Sequence, residues 1–158
     1  MITLIIAVDE KYGFSYKGKI PWRCDEDLQR FKALTDKNIV VMGRKTWESI
    51  PQRLFTSNKK CVVVTKDIRY KTSYDIEVVN DLSKFKDLCK FKDNHYFLIG
   101  GKELIMELKD FIDEIHLTII KGEYISDILF HEIKDIISSF NMKSCIETND
   151  CFYYSYSH

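Results

Sequence analysis

Asp27 is the carboxylate in this chain best placed to do chemistry. It lies in Ile20-Pro21-Trp22-Arg23-Cys24-Asp25-Glu26-Asp27-Leu28-Gln29-Arg30-Phe31. A helix starting near Asp25 turns about 100° per residue, which sets Phe31 about 40° and Leu34 about 20° from Asp27, with Leu28 flanking. Asp25 and Glu26 then face water, and Asp27 faces apolar neighbours. An unpaired buried carboxylate is costly, so it must find a partner or hold a proton near neutral pH, and either outcome suits a ligand pocket. The competing structural readings are an ion pair with Arg30 or a boundary position set by a small shift in helix register.

Two further segments pass from an apolar strand to a helix through glycine. In Met42-Gly43-Arg44-Lys45-Thr46-Trp47, helix N-H groups, two cations and a hydroxyl meet at the carboxyl end of a strand. That is a favourable place for phosphate, although a solvated basic turn has the same composition. Tyr96-Phe97-Leu98-Ile99-Gly100-Gly101-Lys102-Glu103 repeats the design, and its glycines either admit a pyrophosphate to the main chain or simply make a tight turn. Neither segment is a GxGxxG or Walker A motif. Thr65-Lys66 closes a third apolar strand, so the three sites together could hold a dinucleotide bearing several phosphates. His95, His116, His131 and His158 are scattered, with no HExxH pair, and no serine lies in a GxSxG context. Metal and acyl-transfer chemistry are therefore not expected, and the histidines read as surface or satisfied core residues.

The elements that must position these groups are legible as short continuous apolar runs at 2–8, 39–42, 61–64, 76–79, 96–99 and 115–120. Continuous runs imply strands covered on both faces. Helical patterns occupy residues 25–34, 45–50 and 82–89, and a fourth starts after Gly101. The alternation predicts an α/β fold in one domain, residues 1–158, with a mixed, mainly parallel sheet of about eight strands and about four flanking helices. Extended segments at 136–146 and 151–156 flank the turn-rich Thr148-Asn149-Asp150, which predicts an antiparallel C-terminal hairpin.

Composition narrows the partners. Twenty-four basic and 24 acidic residues cancel, so no basic footprint argues for nucleic acid or a membrane surface, and a small molecule is the expected partner. Five cysteines without a CxxC pair fit reduced thiols in a cytosol, each structural or incidental. The run at 2–8 has no preceding basic residue and is too short to span a membrane, so it reads as a buried strand.

Taken in order, these blocks resemble the dihydrofolate reductases of the bacterial and phage type over nearly the whole chain. The likeness rests on Ile6-Ala7-Val8-Asp9, Gly13, Ile20-Pro21-Trp22, Asp27-Leu28 with Phe31-Lys32, Met42 to Pro51, Ile99-Gly100-Gly101, Leu117-Thr118 and Asp127 to Phe130. The resemblance implies that NADPH delivers hydride to C6 of 7,8-dihydrofolate while N5 gains a proton. It further implies that Asp27 meets the pterin N3 and 2-amino groups with Thr118 in the same network, and that Trp22 holds a water and shapes a loop, residues 9–19, closing over the nicotinamide. Ile5, Ala7, Leu28, Phe31, Ile50, Leu54 and Ile99 would wall the substrate. Ala7, Ile20, Ser49 and Ile99 would meet the nicotinamide half of the cofactor. Gly100, Gly101, Lys102 and Glu103 would meet the pyrophosphate, Arg44, Lys45, Thr46, Thr65 and Lys66 the adenosine phosphates, and Gly43 would let the backbone approach the cofactor closely. A monomeric cytosolic enzyme without a metal is implied.

Three departures stand out. The family's usual Arg for the glutamate tail aligns with Lys59, a point charge that cannot form a planar bidentate clamp, which predicts folate binding weaker by roughly 1 to 3 kcal/mol unless Lys60 or Arg53 compensates. Ile105 replaces a frequent Tyr, and Ile128 a frequent polar residue after Asp127. Two alternatives follow: a reductase of a tail-less dihydropterin, and a binding protein that retains the fold.

Overall fold

The apolar runs become strands of one sheet, and side-chain alternation along them divides core from cleft. The computed structural model describes residues 1–158 apart from Thr56, Ser73, Lys92 and the side chains of Gln52 and Arg53. In chain order the elements are β1 (Ile2–Asp9), β2 (Gly13–Ser15), α1 (Asp25–Thr35), β3 (Ile39–Gly43), α2 (Arg44–Ser49), β4 (Lys60–Val64), β5 (Glu77–Val79) and α3 (Leu82–Lys90). They continue with β6 (Tyr96–Gly100), α4 (Lys102–Leu108), β7 (Glu114–Ile120), β8 (Ile128–Leu129), α5 (Ile133–Ile137), β9 (Asn141–Glu147) and β10 (Cys151–Ser157). The eight-stranded sheet has the order β5-β4-β3-β6-β1-β7-β10-β9. Its pairs are parallel from β5 to β7, and β10 and β9 close it antiparallel.

The mixed sheet, the flanking helices and the C-terminal hairpin agree with the sequence reading, and the difference lies in where the hairpin begins. The stretch expected to be extended from residue 136 is helical in α5 up to Ile137, and β9 starts only at Asn141. Ile133, Ile136, Ile137 and Phe140 recur at helical spacing, and burying that stripe on the core outweighs the β-branched character of the run. No helix among the described residues is long and apolar enough to cross a membrane.

Successive strand residues point to opposite faces. Ile2, Leu4, Ile6 and Val8 of β1 join Leu98, Leu104, Leu108, Ile115 and Leu117 in the larger core. Ile5 turns the other way, toward Val40, Met42, Trp47, Phe55 and Phe97, and Ala7 packs near Trp22 and Tyr153. Helix α3 is started by Asp81, whose carboxylate accepts the N-H groups of Ser83 and Lys84 at 3.1 and 3.3 Å.

Asp9 ends β1 and organises the loop beside the cleft. Its buried carboxylate accepts the N-H groups of Lys11, Gly13 and Tyr124 at 2.9, 2.7 and 2.9 Å. A Cβ at Gly13 would lie 2.4 Å from Ser126 Oγ and 2.8 Å from Asp9 Oδ2, so this close approach requires glycine. Farther along, Lys17 N donates to Asp127 Oδ2 at 2.9 Å, and β2 pairs with β8. Asp9→Ala leaves three N-H donors without their acceptor and is expected to cost about 3 kcal/mol; a urea unfolding curve that matches wild type would contradict this.

Candidate active site

A cleft of about 1680 Å³ opens at the carboxyl ends of β1, β3, β4 and β6 and is roofed by α1 and the loop before it. Asp27 sits in the first turn of α1, and its Oδ1 accepts the Thr118 hydroxyl at 2.9 Å. Thr118 is buried on β7, opposite Ala7 on one side and Tyr153 on the other. Burial raises the Asp27 pKa above its ordinary 3.8; the Thr118 hydrogen bond and the Arg30 charge pull it back, and Glu26 adds a smaller upward push. Arg30 does not take the carboxylate as an ion-pair partner. Its guanidinium instead lies 4.4 Å over the Tyr153 ring. The partner of Asp27 is thus a neutral hydroxyl, which orients the acid without neutralising it.

Of the two neighbouring acids, one differs from the sequence expectation. Asp25 faces water and pairs with Arg23 at 3.7 Å, but Glu26 is half-buried and accepts the Thr148 hydroxyl at 3.0 Å.

The remaining residues singled out in the sequence largely converge. Ile5, Ala7, Ile20, Trp22, Leu28, Phe31, Ile50, Leu54 and Ile99 line the apolar part of the cleft. Trp22 is nearly buried, its ring edge-on to Tyr124 with centroids 6.0 Å apart. Ile20 and Leu28 remain exposed at the mouth, where a bound ring system would cover them. At the other end the lining contains Gly43, Arg44, Lys45, Thr46, Ser49, Thr65, Lys66, Gly101, Lys102 and Glu103. Several of these are already engaged. Arg44 Nη1 reaches both Glu48 oxygens at 3.0 and 3.1 Å, Ser49 Oγ donates to Thr46 O, and Lys102 Nζ donates to Leu129 O and pairs with Glu132. The Gly100–Gly101 peptide is cis. Gly100 itself does not line the cleft, but its φ of +139° is open to glycine, and a Cβ there would meet Thr46 at 3.5 Å.

Lys59 is not brought to the site. Its side chain is exposed, its N-H bonds Asn38 O at 3.0 Å, and it does not line the cleft. It precedes β4 at the amino end of the sheet's parallel strands, whereas the cleft lies at their carboxyl ends. Lys60 pairs with Glu77 at 2.5 Å across β4 and β5, and the Arg53 side chain lies outside the described residues. Ile105 is fully buried in the core, and Ile128 lines the rim from β8.

Arg30 and His116 are among the lining residues to which the sequence assigns no functional role. From the sequence Arg30 reads only as an ion-pair partner, and His116 as a surface or core residue. His116 stands on β7 opposite Ile5, two residues before Thr118, and its Nδ1 is buried with no hydrogen-bond partner among the described residues. Burial, and after it the Arg30 charge, lower its pKa below the ordinary 6.5, so the imidazole is neutral at neutral pH. The period of two along β7 was the available signal, since it puts His116 and Thr118 on one face.

Comparison with known proteins decides the family. The dihydrofolate reductase family model matches residues 1–157. The chain belongs to the dihydrofolate reductase family. Dihydrofolate reductase of Staphylococcus aureus is 32% identical over 129 residues, covering 82% of this chain and 77% of that protein. The bifunctional dihydrofolate reductase-thymidylate synthase of Paramecium tetraurelia is 32% identical over 99% of this chain, which spans only 34% of that longer protein. In fold, the chain matches the Enterococcus faecalis dihydrofolate reductase complexed with NADP(H) and RAB-propyl at a TM-score of 0.86 and 24% identity, covering 99% and 95% of the two chains.

The raised Asp27 pKa carries a stability consequence for this reductase. A carboxyl whose pKa is raised by folding favours the folded state below its unfolded value and loses that contribution as pH rises through the folded value. Asp27→Asn is therefore expected to raise the Tm of the ligand-free chain at pH 7, and the gain should vanish as pH falls below 3.8, where the wild-type acid is itself neutral. Calorimetry across that range checks it, and a variant less stable than wild type at pH 7 would contradict it.

Proposed function

We propose that residues 1–158 act as one reductase domain whose acid is Asp27 and whose cofactor end is built on the glycine turns at residues 43 and 100–101. The family's reaction is the NADPH-dependent conversion of 7,8-dihydrofolate to 5,6,7,8-tetrahydrofolate, which supports one-carbon and thymidylate supply. Neither a tail-less pterin reductase nor a binding protein is favoured by that membership. The observation that carries the site assignment is the 2.9 Å Thr118–Asp27 hydrogen bond inside a largely apolar cleft.

A carboxylate offers two acceptor oxygens to the adjacent N3 and 2-amino donors of a pterin, a charge-assisted match. Thr118 holds the carboxylate in the orientation that meets them. Because burial favours the protonated form, Asp27 also favours proton delivery toward N5, through solvent. Trp22 and Ile20 restrict water on that side, while Ile5, Leu28, Phe31, Ile50 and Leu54 receive the apolar rings. Ala7 and Ile99 flank the place where the two ligands meet, with Ser49 near the nicotinamide ribose.

NADPH fits the donor set at the other end and, when bound, supplies the hydride. Arg44, Lys45 and Lys66 provide positive charge there, Thr46 and Thr65 hydroxyls, and the starts of α2 and α4 main-chain N-H groups, with Gly100, Gly101, Lys102 and Glu103 around the pyrophosphate. Arg44 exchanges its solvent-exposed Glu48 partner for phosphate. A monomer in the cytosol completes the proposal, supported by five unpaired thiols.

Steady-state kinetics test it. Folded protein that binds NADPH but does not oxidise it with dihydrofolate would overturn the proposal. Asp27→Asn is expected to lower kcat by about 10²- to 10⁴-fold at pH 7, with partial recovery at low pH or with pre-protonated substrate; wild-type rates at pH 7 would remove Asp27 from its role. Lys59→Ala is expected to change KM for dihydrofolate by less than about fivefold, as for an exposed ion pair. A larger effect would mean that Lys59 reaches the glutamate tail.

A further inference from the structure

Cys24, Glu26 and Cys151 meet at the start of α1, although the two cysteines are 127 residues apart in sequence. Cys24 is the N-cap residue of α1, Glu26 lies in its first turn, and Cys151 opens β10. The two sulfurs are 3.7 Å apart, and all three donor atoms lie within 4.8 Å of one another. A tetrahedral ion with metal–sulfur bonds near 2.3 Å holds its two sulfurs about 3.8 Å apart. The observed separation therefore already fits the sulfur edge of such a site. A disulfide, with its bond near 2.05 Å, would need the sulfurs to close by about 1.7 Å.

We propose that Cys24, Cys151 and Glu26 form a binding site for a thiophilic divalent cation of the zinc type, with the fourth position left to water. The surroundings support a built site. Thr148 Oγ1 donates to Glu26 Oε2 at 3.0 Å, and the Cys151 N-H donates to Thr148 Oγ1 at 3.1 Å. The β9–β10 turn thus orients the carboxylate ligand from behind, as outer hydrogen bonds commonly do in metal sites. Cys151 is fully buried and Cys24 partly so, against Trp22 and Tyr153, which leaves the ion a limited approach to solvent. Charge balances as well. One dication displaces two thiol protons, so two thiolates, one carboxylate and the ion keep the net charge of −1 that Glu26 alone carried, which suits the positive end of a helix. Occupation would tie α1 to β10 one residue from Asp27.

The test uses the full chain carrying Cys145→Ser, which removes the exposed thiol, without added nucleotide. It is titrated with Cd²⁺ and Zn²⁺ under reducing conditions. Expected are one ion per chain, a thiolate-to-cadmium absorption band in the ultraviolet, and a Tm that rises with ion concentration. Cys24→Ala in the same background should abolish both signals. Thr148→Val should weaken binding by about 10- to 100-fold. Signals that survive Cys24→Ala, their absence from the reduced parent protein, or loss of these two thiols to a disulfide in the reducing buffer would overturn the proposal.

Discussion

A carboxylate held among apolar side chains needs a partner that orients it without removing its charge, and much of this molecule is arranged to provide one. Thr118 can approach Asp27 to 2.9 Å only because β7 lies beside β1 in the centre of the sheet and α1 crosses that face. A cationic partner would have formed a finished ion pair with little reason to bind anything else. Arg30, one turn away, is instead drawn over the Tyr153 ring, from where it moderates the Asp27 pKa through space. The result is an acid with raised proton affinity that stays available to a ligand.

The same strands serve stability and chemistry through their period of two. In β1, Leu4 and Val8 enter the main core while Ile5 and Ala7 line the cleft; in β7, Ile115 and Leu117 are core while His116 and Thr118 line the cleft. A register slip by one residue would exchange the two sets and lose both functions at once. Asp9 extends this arrangement beyond the sheet, because its three backbone partners hold the 10–13 turn and the start of the 124–127 segment against the end of β1. The cofactor end depends on the topology in a different way. Parallel strands finish side by side, so the starts of α2 and α4 converge although they are far apart in sequence.

Local regularities were legible in the sequence because they are written in neighbouring residues. The helical face carrying Asp27, the apolar strands, the glycine turns and the terminal hairpin all follow from periodicity or turn chemistry, and the ordered motifs between residues 6 and 130 pointed to the family. Helix α5 was missed where two periods competed over a short run, and burial of Ile133 and Ile136 decided between them. Lys59 is singled out by its place in the order of motifs, but the fold leaves its exposed side chain outside the lining of the cleft, since order along the chain does not say which end of a strand faces the ligand.

The sequence by itself determined which residues form strands, which helix face bears an acid, and which family the chain resembles. Only the tertiary structure decided what each of those groups touches. Thr118 is 91 residues from Asp27, Thr148 is 122 from Glu26, and Cys151 is 127 from Cys24. Such pairings depend on strand order and on the packing of α1 over the sheet, which are set by burial of the whole apolar surface rather than by any local pattern.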